Sequence, residues 1–180
     1  TGAEALVRRI KPDGTIISPI DFIPVYEKSG LISRLDRYIW EQAAAKLGEW
    51  KKAGINMSIS VNISPKDFYY IDIFNTFAGL IKKYDIEPSN LKIEITETTI
   101  MSDVPNLMGE LEELRKAGFT LEMDDFGSGY SSLNTLKDIN VDVLKVDMGF
   151  IKETKNVKKS RIILASVIKM AKELNLLIIT

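Results

Sequence analysis

The stretch "MSISVNIS" (residues 57–64) alternates strictly between apolar and polar side chains. A period of two is typical of a β-strand with one face against an apolar core and the other face turned away from it. "LKIEIT" (91–96) repeats the alternation, and "FTLEMDD" (119–125) and "VDVLKVDM" (141–148) follow it less regularly. "LNLLIIT" (174–180) is a continuous apolar run, which predicts a strand buried on both faces.

Helical patterns lie between these strands. Ser33 is a predicted N-cap, with Asp36 three residues later, for a helix that stops near Gly54. The apolar stripe of this helix has helical spacing and consists of Leu35, Ile39, Ala43, Leu47 and Trp50. Apolar residues at the same spacing predict three more helices, over residues 66–83, 103–117 and 158–173.

The elements alternate between strand and helix, beginning with a predicted strand over residues 3–10. This order is typical of a parallel sheet with helices outside it. Two folds are compatible with it, an open doubly wound sheet and a (β/α)₈ barrel. An open nucleotide-binding sheet usually has a Gly-rich turn after its first strand, and polar residues at strand ends favour the barrel. Because a complete barrel usually has about 250 residues, we predict one α/β domain over residues 1–180, an incomplete TIM-type barrel of about six strands.

Composition excludes several kinds of chemistry. The chain has 180 residues, a net charge of -1, no histidine and no cysteine. Histidine-based acid–base catalysis, Ser-His-Asp triads, disulfides and thiolate metal sites are therefore excluded. Without a basic excess, we expect no nucleic-acid polymer as partner. The apolar runs are too short to span a bilayer, so we expect a cytoplasmic segment without direct membrane contact, whose parent protein could still carry a membrane anchor.

Four polar side chains share the inward phase of their strands, near the C-terminal ends: Asn62, Glu94, Asp124 and Lys145. In barrels of this type, that end carries the active site. Asp125 follows with the opposite phase, or on the turn. Oxygen ligands without His or Cys suit Mg²⁺ or Mn²⁺. Two such ions about 4 Å apart would form a site for in-line displacement at a phosphoester, with Lys145 steadying the attacking water or the phosphoryl charge.

Simpler roles are open to each of these residues taken alone. An Asp-Asp pair is often a solvated turn, an inward lysine often pairs with a buried acid, and Asn62 could satisfy backbone groups. Their common phase on successive strands favours a shared site over these separate roles.

Six motifs in order resemble one known family, the EAL domains, which are bacterial signalling phosphodiesterases that cleave cyclic di-GMP. The motifs are "EALVRR" (4–9), "SPIDFIPVYEKSGLI" (18–32), "VNIS" (61–64), "EITE" (94–97), "DDFGSGYSSL" (124–133) and "LKVD" (144–147). The resemblance covers essentially the whole chain. It implies a (β/α)₈ barrel that uses Mg²⁺ or Mn²⁺, and hydrolysis of cyclic di-GMP to linear pGpG by metal-activated water in the intact parent.

The resemblance also implies residue roles. Four residues match the ligands of a first metal: Glu4, Asn62, Glu94 and Asp124. Asp125 matches a ligand of a second metal, and Lys145 matches the lysine near the attacking water. Glu97 matches a glutamate that anchors the loop after the Asp pair. This loop is "FGSGYSS" (126–132), and in the family it couples Asp125 to metal, substrate and dimer contacts. The residues implied to contact substrate are Leu6, Arg8 and Asp147, and a homodimer is expected.

The chain departs from the family pattern at several positions. Arg9 stands where Trp is usual, Tyr26 where Ala is frequent, and Met148-Gly149 where Arg-Ser is usual. Only the last of these changes is expected to alter a guanine or interface contact, and the metal site is expected to be unaffected. The family's first strand and helix, and its last strand, are expected outside this stretch, with a catalytic glutamate after Thr180. We therefore predict that this fragment alone is weak or inactive. The alternative is a non-catalytic EAL domain that acts as a cyclic di-GMP receptor or protein-interaction module.

Overall fold

A computed structural model describes residues 2–102, 106–127, 136–137, 139–147 and 157–179. Its main sheet has six parallel strands, in the spatial order β1 (Gly2–Glu4), β4 (Ser58–Asn62), β5 (Leu91–Thr96), β6 (Leu121–Phe126), β7 (Val143–Val146) and β8 (Leu177–Ile179). Two short antiparallel strands, β2 (Arg9–Ile10) and β3 (Ile16–Ile17), form a separate ribbon. The parallel sheet was predicted from the sequence and is confirmed.

Seven helices with defined bounds lie in the described part of the chain, besides the helical residues 136–137. They are α1 (Pro19–Ser29), α2 (Ile32–Lys52), α3 (Asp67–Tyr70), α4 (Ile73–Tyr84), α5 (Glu97–Met101), α6 (Leu107–Lys116) and α7 (Val157–Glu173). A single 3₁₀ turn, Pro88–Asn90, precedes β5. No described helix combines the length and the hydropathy needed to cross a membrane.

The core forms between the outer face of the sheet and the helices. The alternate apolar residues of the central strands are fully buried, including Val61, Ile93, Ile95, Leu121 and Met123. They belong to one apolar cluster with aromatic side chains of α2 and α4. The rings of Trp40 and Phe77 lie 4.9 Å apart between centroids. The apolar faces of the strands therefore meet the helices, as their alternation predicted.

The sheet curls strongly. β1 and β7 are separated by four strand-to-strand steps, which in a flat sheet would place them about 19 Å apart. Yet Nζ of Lys145 on β7 lies 3.5 Å from Oε2 of Glu4 on β1. This contact across the concave face requires the sheet to bend into part of a cylinder, so the incomplete barrel is confirmed.

Two predicted helices differ from those observed. Helix α2 begins at Ile32, with Leu31 as its N-cap residue, and Ser33 is buried within the first turn. The predicted cap at Ser33 is wrong, because the backbone of Leu31 is already helical (φ -82°, ψ -9°). The helix predicted over residues 66–83 is two helices, because Asp72 caps α4 by accepting a 3.0 Å hydrogen bond from the Asn75 N–H.

Other predictions need smaller corrections. The strand predicted over residues 3–10 ends at Glu4, and Arg9–Ile10 joins the antiparallel ribbon. β8 is not buried on both faces, because it lies at the end of the described sheet with Leu177 68% exposed. Helices α1 and α5 were not predicted. Within residues 103–117 the helix covers Leu107–Lys116, and residues 103–105 lie outside the described part.

Candidate active site

Three carboxylates from three different strands converge on the concave face of the sheet. Glu4 ends β1, Glu94 lies on β5 and Asp124 lies on β6. Each offers one oxygen, and these oxygens lie within 4.8 Å of one another. Because all three strands are parallel, their C-terminal halves share one rim, as the sequence predicted for Glu94 and Asp124 and the resemblance for Glu4.

Lys145 lies among the three carboxylates. Its Nζ is 3.0 Å from Oε1 of Glu94, 3.4 Å from Oδ2 of Asp124 and 3.5 Å from Oε2 of Glu4. Asn62 completes the group, with Nδ2 3.5 Å from Oε1 of Glu4. The four residues predicted from their common phase are therefore in one place.

The carboxylate of Glu94 is the most buried of the group. Glu94 is 1% exposed, and among the described residues its Oε2 has no hydrogen-bond partner. Burial raises the pKa of Glu94 to about 7, although the Ser60 hydroxyl and the Lys145 ammonium act to lower it. Burial alone would lower the pKa of Lys145, but the hydrogen bond and charge of Glu94 outweigh burial and raise it.

The charges of this group fit a hard divalent cation. With all three carboxylates ionised, the single ammonium of Lys145 leaves two negative charges uncompensated. The oxygen of Glu94 without a partner is a free ligand position. Carboxylate and amide oxygens, without sulfur or imidazole, are the ligands that Mg²⁺ and Mn²⁺ prefer.

Asp125 lies at an irregularity of β6. The pairing of β6 with β7 shifts register between Met123 and Phe126. Asp125 has a left-handed backbone (φ 56°), and its N–H donates a 2.9 Å hydrogen bond to Oδ1 of Asp124. Burial, together with the charges of Asp124 and Asp147, raises the pKa of Asp125. Asp125 is therefore not part of the regular strand pairing, but it stays close enough to the acidic group for the charge of Asp124 to act on it.

A second ion pair lies two residues before Glu94 and Asp124 on the same two strands and was not predicted. Lys92 Nζ lies 2.8 Å from Oε1 of Glu122, and the Glu122 side chain is 3% exposed. A cavity of about 210 Å³ adjoins both residues and also Glu4, Glu94 and Lys145. Lys92 has the same strand phase as Glu94, which was the signal that it points inward.

Two of the three residues implied to bind substrate line a neighbouring cavity. This cavity, about 440 Å³, is bordered by Leu6, Arg8 and Asn62, with Pro19 and Thr96 also in its wall. Leu6 is 56% exposed, and Nη1 of Arg8 donates to the Val7 carbonyl at 2.8 Å. Asp147 does not line this cavity; instead, its charge acts on Asp125.

Glu97 begins α5 and is 1% exposed. The side chain of Thr96 caps this helix by accepting a hydrogen bond from the Thr99 N–H at 3.2 Å. The loop that Glu97 is expected to anchor is "FGSGYSS" (126–132), and it falls largely on residues 128–132. These residues lie outside the described part, as do Met148, Gly149 and Thr180, so the anchoring role stays a prediction.

Trp40 is a buried residue next to the site that sequence reasoning did not single out. Its Nε1 donates a 2.9 Å hydrogen bond to the backbone carbonyl of Asn62. The indole is completely buried on α2. It fixes the backbone of Asn62 from the helix side of the sheet.

Comparison with known proteins adds to this geometry. The family model described as "EAL domain" matches residues 1–180. The signaling protein YkoW of Bacillus subtilis is 35% identical over 99% of this chain, and the bifunctional diguanylate cyclase/cyclic di-GMP phosphodiesterase MucR of Pseudomonas aeruginosa is 34% identical over 99%. A solved structure of the PaMucR phosphodiesterase in complex with c-di-GMP superposes with a TM-score of 0.87 at 34% identity, covering 97% of this chain and 71% of that one.

These relatives are much longer proteins. The chain spans 22% of YkoW and 26% of MucR.

Proposed function

The chain belongs to the EAL domain family, and on that premise we propose that its parent hydrolyses cyclic di-GMP to linear pGpG. The observation that carries the proposal is the group of Glu4, Glu94 and Asp124 around Lys145 on one rim of the curled sheet. The similarity to MucR, named as a cyclic di-GMP phosphodiesterase, supports this substrate. So does the likeness to PaMucR in its c-di-GMP complex.

We assign the ligands of a first Mg²⁺ or Mn²⁺ to Glu4, Asn62, Glu94 and Asp124, and a ligand of a second ion to Asp125. A divalent cation bound there would supply positive charge for the phosphoryl oxygens and make a water more acidic. The buried carboxylate of Glu94 fits this role, because burial penalises its ionised form and a bound cation would offset that penalty.

The remaining residues act on the substrate in this proposal. Lys145 holds its proton, since its pKa is raised, and its ammonium orients the attacking water and stabilises charge on the phosphoryl group. Arg8 binds a phosphate and Leu6 contacts the nucleotide in the cavity next to Asn62. Asp147 binds substrate from the side of Asp125. Glu97 anchors the loop after Asp125.

The test is formation of pGpG from cyclic di-GMP by the full-length parent. Reactions contain Mg²⁺, Mn²⁺ or EDTA, and the product is measured by chromatography. Glu94→Gln and Asp124→Asn should reduce the rate at least about a hundredfold. Glu49→Gln is the matched control, because the Glu49 side chain is 67% exposed on α2 and pairs only with Lys46 among the described ion pairs. Turnover that survives both Glu94→Ala and Asp124→Ala would reject the metal mechanism.

The same experiment separates the receptor alternative. Binding of cyclic di-GMP by calorimetry without any pGpG would identify a receptor instead of a hydrolase. We expect residues 1–180 alone to hydrolyse cyclic di-GMP slowly or not at all, and the parent to be a homodimer by light scattering.

A further inference from the structure

Helix α2 holds the segment that follows β4 at two points. Trp40 donates its indole N–H to the carbonyl of Asn62 at 2.9 Å. One turn earlier, Asp36 faces Asp67, and each of the two carboxyl groups acts on the pKa of the other. Residues four apart lie on the same face of a helix, so both contacts come from the face of α2 that meets residues 62–67.

Asp67 is an unusual residue for a solvent-free position. It is completely buried, and its Oδ2 accepts a 2.8 Å hydrogen bond from the Ser64 N–H. With both carboxyl groups ionised, its buried Oδ1 has no hydrogen-bond partner among the described residues. Two carboxylates cannot donate to each other, and a buried charged oxygen without a donor is costly. A proton on Asp36 can supply the missing donor, as can the Ser33 hydroxyl, which is buried and also lacks a partner among the described residues.

The surroundings of the pair favour that proton. Glu27 of α1 adds a negative charge facing Asp36, and the ammonium of Lys66 is hydrogen-bonded to the Glu27 carbonyl. Burial, then the charge and hydrogen bond of Asp67, raise the pKa of Asp36 to about 9. Burial raises the pKa of Asp67 too, although the nearby Ser33 hydroxyl and the hydrogen bond from the Ser64 N–H act against it.

We propose that Asp36 and Asp67 share one proton, and that this acid pair positions residues 62–67 as a wall of the candidate site. Asn62 in this segment is an assigned metal ligand. Ser64, Pro65 and Asp36 line the same 440 Å³ cavity as Leu6 and Arg8. Only the consequence for catalysis rests on the proposed function; the shared proton and the held segment do not.

The test uses the intact parent without nucleotide or divalent cation. Infrared difference spectra between wild type and Asp36→Asn should contain a protonated-carboxyl band at pH 7 that disappears above pH about 9. Hydrogen exchange of the amides in residues 62–67 is the second measurement, expressed as protection relative to the unfolded chain. In wild type this protection should be full below the pKa of Asp36 and fall as the pH rises through it, because the donor is then lost.

The variants separate a positioning role from a merely structural one. Asp36→Asn keeps a donor that does not titrate, so protection should match wild type at pH 7 and no longer fall at high pH. Asp36→Ala removes the donor, and exchange of the Ser64 amide should be about tenfold faster. Asp85→Asn is the control, because the Asp85 side chain is 92% exposed, and it should change neither measurement.

Two results would overturn the proposal. One is the absence of a titrating carboxyl band between wild type and Asp36→Asn, which decides the matter even if Asp36→Ala does not fold. The other is Ser64 protection in Asp36→Ala equal to that in wild type. In the parent enzyme, Asp36→Ala should raise the Mn²⁺ concentration for half-maximal rate while Asp36→Asn should not. If no hydrolysis is detected, the proposed function fails, and the two metal-free measurements still decide this inference.

Discussion

Replacing Lys145 by methionine tests whether its ammonium balances the acidic group. The change keeps the length of the side chain and removes its charge. Nζ lies 3.0 Å from Oε1 of Glu94, and the two side chains are 18% and 1% exposed. At an effective dielectric constant near 20, one such pair is worth about 5 kcal/mol. Removing one partner of a buried pair costs about 3–5 kcal/mol in practice. Because Glu4 and Asp124 are partly exposed and Glu94 can take up a proton, we expect about 3 kcal/mol.

The assay is urea unfolding followed by circular dichroism at pH 8, with EDTA and then with saturating Mn²⁺. In EDTA, Lys145→Met should lose about 3 kcal/mol of the free energy of unfolding. Mn²⁺ should restore most of this loss, because a divalent cation compensates the same carboxylates.

Lys169→Met is the control with the same chemical change. Lys169 is 79% exposed and lies 3.9 Å from Glu173, so its loss should cost no more than about 1 kcal/mol. The reasoning is refuted if Lys145→Met costs no more than Lys169→Met in EDTA. It is equally refuted if Mn²⁺ raises the free energy of unfolding of Lys145→Met no more than it raises that of a protein without a divalent-cation site.

Three further predictions follow from the same geometry. The folded-state pKa of Glu94 is about 7, above the ordinary 4.5. In the metal-free protein, protonated Glu94 should therefore contribute fully to the free energy of unfolding below pH 4.5. This contribution, at most about 3 kcal/mol, should be lost as the pH rises through 7. Glu94→Gln should remove that slope, as measured by urea unfolding at pH 5 and 8. Lys92→Met leaves Glu122 buried without its 2.8 Å partner and should cost about 3 kcal/mol, most of which the double variant with Glu122→Met should recover. Asp125→Gly relieves a left-handed backbone at φ 56°. It should add about 1 kcal/mol to the free energy of unfolding and so raise the melting temperature, while abolishing pGpG formation. An Asp125→Ala variant that is equally stabilised would contradict the backbone explanation.

The sequence predicted the inward side chains well because strand phase is a local property. Asn62, Glu94, Asp124 and Lys145 each follow from the alternation of their own strand, and parallel order then puts them on one rim. Glu4 followed only from the family resemblance. Its contact with Lys145 depends on the curvature of the whole sheet, which no single strand encodes.

Local signals failed where a distant residue supplies the partner. Ser33 and Asp36 have the spacing of a helix cap, but Asp36 interacts with Asp67, and Ser33 is buried beside them. The irregularity at Asp125 was equally hidden, because it arises from the pairing of β6 with β7. The apolar run "LNLLIIT" (174–180) predicted a strand buried on both faces, but one face of β8 is exposed.

The contact between Glu4 and Lys145 joins positions 141 residues apart in the chain. Closing so long a loop carries a large entropic cost that the intervening strand pairings must first offset. The acidic pocket should therefore form late during folding, so that affinity for a divalent ion would report a fully assembled chain rather than a collapsed intermediate.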